Sequence, residues 1–113
     1  MHEMSIAQSL IEIIREEMAR HNALRLKTAR LQIGQMSAIV PDALSFCFTV
    51  ITEGTEMEGA DLIMESVPLR GKCHCCNLEF NIEDYAFLCP SCGSQEIGMM
   101  SGQELALIEI EVE

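Results

Sequence analysis

Cys73-His74-Cys75-Cys76 and Cys89-Pro90-Ser91-Cys92-Gly93 form two Cys-x-x-Cys pairs separated by twelve residues, Asn77 to Leu88. Two residues between cysteines let a tight turn aim both sulfurs at one ion. Two such turns complete the tetrahedron of thiolates that Zn2+ favours in structural sites. Gly93 suits the second turn, which needs a residue tolerant of positive φ just past its last ligand. The spacing predicts Cys73, Cys76, Cys89 and Cys92 as zinc ligands within a module spanning residues 70–98. Cys75 is then a spare thiol, and His74 a residue facing solvent or supporting a ligand from behind. A redox pair would sit where a strand meets a long helix, whereas both pairs here are flanked by turn residues and very short segments. Four thiolates also close the coordination shell and leave zinc no position for a catalytic water.

Outward from this insert, apolar periodicity defines a larger layer. Ala7, Leu10, Ile11, Ile14 and Met18 recur at helical spacing. Ser5 and Gln8 form a candidate capping box, and Asn22 is a stop for a helix running to about His21. Leu26 to Ile33 alternates Ala29, Leu31 and Ile33 against Thr28, Arg30 and Gln32, the pattern of a half-buried strand ending at Gly34. Pro41 and Asp42 open a second helix with Leu44, Cys47, Phe48 and Ile51 on one face, and Gly54 ends it. Leu62 to Val67 reads as a short strand broken by Pro68 and Gly71, and Leu105 to Val112 as a last strand with Ala106, Ile108, Ile110 and Val112 on its apolar face. The predicted class is α+β: a small three-stranded sheet with two helices, interrupted by a zinc-ribbon-like domain bearing four cysteines. Residues 1–69 and 99–113 form one discontinuous domain, and residues 70–98 the other. Cys47 belongs to core packing. Phe80, Tyr85 and Phe87 are expected to form the small core of the zinc module.

Composition narrows the function. The 113 residues contain 7 Lys and Arg against 18 Asp and Glu, a formal charge of −11. Nucleic acid and anionic membrane surfaces are poor partners for such a chain. The insert itself holds Arg70 and Lys72 against Glu79, Glu83, Asp84 and Glu96, so it offers no basic platform. No apolar run is long enough to span a bilayer, and the first residues lack the basic and apolar blocks of a secretory leader. The chain is read as soluble and cytoplasmic, a reducing setting that favours metal over disulfides for its six cysteines. No Ser-His-Asp set or phosphate-cradling glycine loop stands out, so no enzyme activity is expected.

Met1-His2-Glu3 offers a different chemistry. The α-amine, the backbone amide nitrogen of His2 and its imidazole can close two small chelate rings around one ion. Amide nitrogen serves metals that favour a plane of nitrogen donors, Ni(II) and Cu(II). A fourth position is left for Glu3 or a partner's group, and an open edge favours transfer over storage.

The Met1-His2-Glu3-Met4-Ser5 opening, the amphipathic first helix, Leu31-Gln32-Ile33-Gly34, Leu44-Ser45-Phe46-Cys47-Phe48, and the paired cysteine insert followed by Ile108-Glu109-Ile110 together resemble the HypA/HybF family of hydrogenase nickel-incorporation proteins. The resemblance runs through essentially the whole chain. It implies a nickel metallochaperone that helps deliver Ni2+ to the large subunit of [NiFe]-hydrogenase during maturation. It further implies nickel binding at His2, with Glu3 and the terminal amine of Met1 in support, and structural zinc on Cys73, Cys76, Cys89 and Cys92. A nickel-handling maturation GTPase is the implied partner, and some relatives also serve urease maturation. The alternative reading is a zinc-ribbon adaptor that docks proteins and has no nickel site of its own.

Overall fold

The computed structural model describes residues 3–113. The chain divides into two compact units. Unit 1 comprises residues 3–32, 38–65 and 106–113 of those described, and unit 2 comprises residues 33–37 and 66–105. The elements are α1 (Glu3–Arg20), β1 (Leu26–Gly34), α2 (Pro41–Thr52), β2 (Asp61–Val67), β3 (Arg70–Cys73), β4 (Glu79–Asn81), β5 (Ile97–Ser101) and β6 (Leu105–Val112).

In unit 1, α1 buries Ala7, Leu10, Ile11, Ile14 and Met18, the stripe that the spacing predicts. The helix already includes Glu3, so Ser5 lies inside its first turn and cannot cap it as expected. Asn22 ends it in the left-handed region at φ 51. The amide of Asn22 donates to the Ala19 carbonyl and that of Ala23 to the Met18 carbonyl, the paired bonds that satisfy a helix C-terminus when the next residue turns left-handed. α2 starts with Pro41 in its first turn and buries Leu44, Phe48 and Thr52. The Thr52 hydroxyl donates to the Phe48 carbonyl at 2.7 Å, which removes its desolvation cost.

The sheet order is β2-β1-β6. Hydrogen bonds at the two ends of β1 fix the strand directions. Leu26 bonds Glu56 just before β2 and Gln35 bonds Val67 at its end, whereas Arg25 bonds Glu113 and Gly34 bonds Glu104. β2 therefore runs parallel to β1, with α2 as the crossover that parallel strands require, and β6 runs antiparallel. β1 turns Ala29 and Leu31 into the core, leaving Thr28, Arg30 and Gln32 half-buried on the other face. On that face the Arg30 Nε lies 3.5 Å from a carboxylate oxygen of Glu65 on β2 and 3.5 Å from one of Glu109 on β6. It makes a well-formed hydrogen bond to neither and is held between them by charge.

Unit 2 contains a second sheet, of order β4-β3-β5, that the sequence does not announce. β3 pairs antiparallel with both neighbours, setting Gly71 opposite Phe80 on one side and Met99 on the other. Gly71 has to lack a side chain: a Cβ there would fall 2.6 Å from the Ile97 Cγ2 and 2.8 Å from the Ile82 Cδ1. The buried residues around this sheet are Leu69, Cys73, Ile82 and Cys89. Tyr85 is 64% exposed, and Phe80 and Phe87 are only half-buried, so the expected aromatic core is replaced by an aliphatic one closed by two cysteines.

Two phenylalanines of α2 provide a test of the unit 1 core. Phe48 is 2% exposed and Phe46 is 69% exposed. Phe48→Ala is expected to cost about 3–5 kcal/mol in denaturant unfolding followed by helical circular dichroism, whereas Phe46→Ala stays within about 0.5 kcal/mol of the parent.

Candidate metal centre

Within unit 2 the sulfurs of Cys73, Cys76, Cys89 and Cys92 all lie within 4.8 Å of one another. The shortest separations are 3.5 Å for Cys73 and Cys92 and 3.6 Å for Cys76 and Cys89. Thiolates about 2.3 Å from a tetrahedral zinc ion stand roughly 3.8 Å from each other. The four atoms thus lie near the corners that such an ion needs.

The two turns are built alike, residue for residue. The Cys73 sulfur accepts the amides of Cys75 and Cys76 at 3.4 and 3.5 Å, and the Cys89 sulfur accepts those of Ser91 and Cys92 at 3.4 Å each. Asn77 bonds the Cys73 carbonyl as Gly93 bonds that of Cys89, and the amides of Cys73 and Cys89 donate to Leu78 and Ser94. Gly93 adopts φ 75, as its position requires, and Asn77 adopts φ 64 in the first turn. Asn77 is the residue that the spacing argument overlooked. The signal was present, since asparagine is among the few residues besides glycine that tolerate this conformation.

The amides polarise the sulfurs unequally. The Cys76 amide, acting against burial and helped by the Cys75 amide, lowers the Cys73 thiol to about 6. The Cys92 amide likewise holds the Cys89 thiol below its usual range. At Cys92 the Ser94 amide pulls downward, but the sulfurs of Cys73 and Cys89 and burial outweigh it and drive the thiol to about 12. Cys76 shifts upward too: the Leu78 amide favours the thiolate, and the Cys89 sulfur, burial and the Cys73 sulfur oppose it more strongly. Each turn therefore contributes one sulfur whose thiol is shifted down and one whose thiol is shifted up, the latter gaining most from a neighbouring cation.

The remaining predicted residues fall elsewhere. Cys75 occupies in the first turn the place of Ser91 in the second; its thiol is exposed, 3.2 Å from the Ser94 hydroxyl, and stands outside the cluster of four. The His74 amide bonds the Glu96 carbonyl. Its ring lies over Gly98, where a Cβ would meet the His74 Nε2 at 2.7 Å. Cys47 is half-buried on α2. In unit 1, Glu3 opens α1 and its Oε2 is 3.4 Å from the Val40 amide, just ahead of α2. Met1 and His2, the other proposed nickel ligands, lie outside the described residues. Among the described residues, no helix is long and apolar enough to cross a membrane.

Comparison with known proteins places this geometry in a family. The model of the family described as "Hydrogenase/urease nickel incorporation, metallochaperone, hypA" matches residues 1–112. The hydrogenase maturation factor HypA of Geobacter metallireducens is 44% identical over 113 residues, covering the whole of both chains. That of Trichodesmium erythraeum is 42% identical and is covered over 96% of its length. Among solved structures, a HypA protein in solution superposes with a TM-score of 0.74 at 26% identity, over 100% of this chain and 97% of the other. The Ni metallochaperone HypA from Helicobacter pylori shares the fold, with a TM-score of 0.69 at 23% identity over 99% and 97% of the two chains.

The unequal thiols lead to a measurable proton count. Protons compete with the metal for each sulfur. A thiol lowered to about 6 is largely ionised at pH 7 and has less than a full proton to lose. Zinc uptake at pH 7 is expected to release fewer than four protons per ion, and affinity to fall steeply below about pH 6 as Cys73 becomes protonated. Calorimetry in buffers of different ionisation enthalpy gives the number, and a release of four would show that the Cys73 thiol is not lowered in the metal-free protein.

Proposed function

The chain belongs to the HypA family of hydrogenase/urease nickel-incorporation metallochaperones, and on that premise we propose that it binds Ni(II) at its N-terminus and passes it to the large subunit of [NiFe]-hydrogenase during maturation. The observation that carries the proposal is the full-length family match together with the opening Met1-His2-Glu3. The imidazole of His2 is the principal ligand. The terminal amine of Met1 and the amide of His2 complete a planar set of nitrogens, and Glu3 supports them. The Val40 amide donates to the Glu3 carboxylate at 3.4 Å, so the start of α1 is tied to the start of α2. The protein acts as a carrier, not an enzyme. Its nickel site has to shed protons to bind, so it loads better as pH rises.

Zinc is the resident metal in this reading, held by Cys73, Cys76, Cys89 and Cys92. Its closed shell of thiolates supplies rigidity and no reaction. A maturation GTPase that handles nickel is the expected docking partner, urease maturation proteins are a further one, and the cytoplasm is the expected compartment. The charge of −11 makes encounter with a basic partner face faster at low salt.

Two measurements test these assignments. In Ni(II) calorimetry, His2→Ala and a version extended ahead of Met1 are expected to bind at least tenfold more weakly than the parent chain, since each removes one of the nitrogen donors. Equal binding by all three would leave the zinc-ribbon adaptor reading in its place. By metal analysis, Cys92→Ser is expected to lose its zinc and Cys75→Ser to retain one equivalent; the reverse pattern would overturn the ligand set.

A further inference from the structure

β6 is an edge strand: it pairs with β1 on one side, and among the described residues no strand adds to its other side. An unpaired edge presents a row of amides and carbonyls that another extended segment can complete. Along residues 106–112 the side chains alternate. Glu109 and Glu111 share with Arg30 and Glu65 the face of the sheet opposite the buried Ala29 and Leu31, and Ile108 on the other face is 48% exposed. The charges there do not balance. Arg30 is shared between Glu65 and Glu109, and among the described residues no cation pairs with Glu111. No Lys or Arg follows Lys72 in the chain, whereas acids continue to Glu113.

We propose that the free edge of β6 is a docking site for an extended basic segment of a partner protein, with Lys or Arg alternating with apolar residues. The backbone bonds of an added strand supply affinity, and alternate side chains supply selectivity. The partner's cations would face Glu109 and Glu111, while its apolar residues would cover Ile108. A second copy of this chain is disfavoured in the registers that pair the acidic end of the strand. An antiparallel copy centred at Glu109, Ile110 or Glu111 sets at least one glutamate directly opposite another, and like charges directly opposite destabilise a pair of strands.

The probe is a capped hexapeptide of alternating lysine and valine, titrated into the full zinc-loaded chain and followed by amide NMR shifts and hydrogen exchange. The expected result is shifts and slowed exchange confined to β6 and the adjoining β1. Binding should weaken as salt rises and fall about tenfold in the Glu109→Lys, Glu111→Lys double variant, whose folding is checked by its unchanged α1 and α2 amide shifts. If that variant is misfolded, a glutamate-valine hexapeptide on the parent chain decides the question, with binding at least tenfold weaker expected. Equal binding of the two peptides, equal binding to a folded double variant, shifts centred outside β6, or no binding at millimolar peptide would overturn the proposal. Protection of the β6 edge that rises with protein concentration and without peptide would also overturn it, in favour of self-association.

Discussion

Four cysteine sulfurs within 4.8 Å of one another cannot all carry charge unless a cation sits among them, and the architecture of unit 2 rests on that constraint. The second sheet of that unit has a thin core, Leu69, Ile82 and two of the cysteines themselves. Its strands are three to five residues long. A sheet of that size buries too little apolar surface to hold itself together. The thiolate cluster replaces the missing core, because the binding free energy of a structural metal is folding free energy for the segment that encloses it. Unit 1 carries no such dependence. Its two helices and β1 enclose Ile14, Leu31, Leu44 and Phe48, a conventional apolar interior.

The sequence disclosed these two kinds of stability unequally. Ligand spacing is local chemistry, so the two turns, their four cysteines and the conformation of Gly93 could be read directly. The stripe on α1, its stop at Asn22, the alternation in β1 and the bounds of β6 were legible because periodicity maps onto one buried face. What escaped has a common physical cause. β3, β4 and β5 are too short for a period of two to emerge, and Gly71 and Cys73 within β3 are there for fit and ligation, not strand propensity. Aromatic character points Tyr85 toward a core, but it lies at the left-handed backbone of Asp84 and Tyr85 with its side chain exposed, and Ile82 is the buried residue there. Ile108 follows the apolar alternation of β6 and is nonetheless half in solvent, because alternation identifies a face and says nothing of whether that face is covered at a sheet edge.

The proposed function gives the two units different tasks in one protein. The nickel proposal concentrates on the first three residues, where nitrogen donors would serve a metal that has to leave again. The zinc reading concentrates on four thiolates that surround their ion on every side. An open set of nitrogens and a closed set of sulfurs are opposite answers to the same coordination problem, one suited to transfer and the other to permanence. The acidic balance of the chain serves both, since it repels phosphate-bearing polymers and favours contact with basic protein surfaces.

The likeness of the two cysteine turns has a kinetic consequence. Each turn is closed by bonds inside itself, from the amides onto Cys73 and Cys89 to the carbonyl bonds at Asn77 and Gly93. The two are also tied to each other, Cys75 to the Ser94 hydroxyl and the His74 amide to the Glu96 carbonyl. A metal held by all four sulfurs would thus sit between two preformed pairs of donors. Its loss would withdraw the support on which the small sheet depends, so exchange of the ion and opening of the unit around it would be linked.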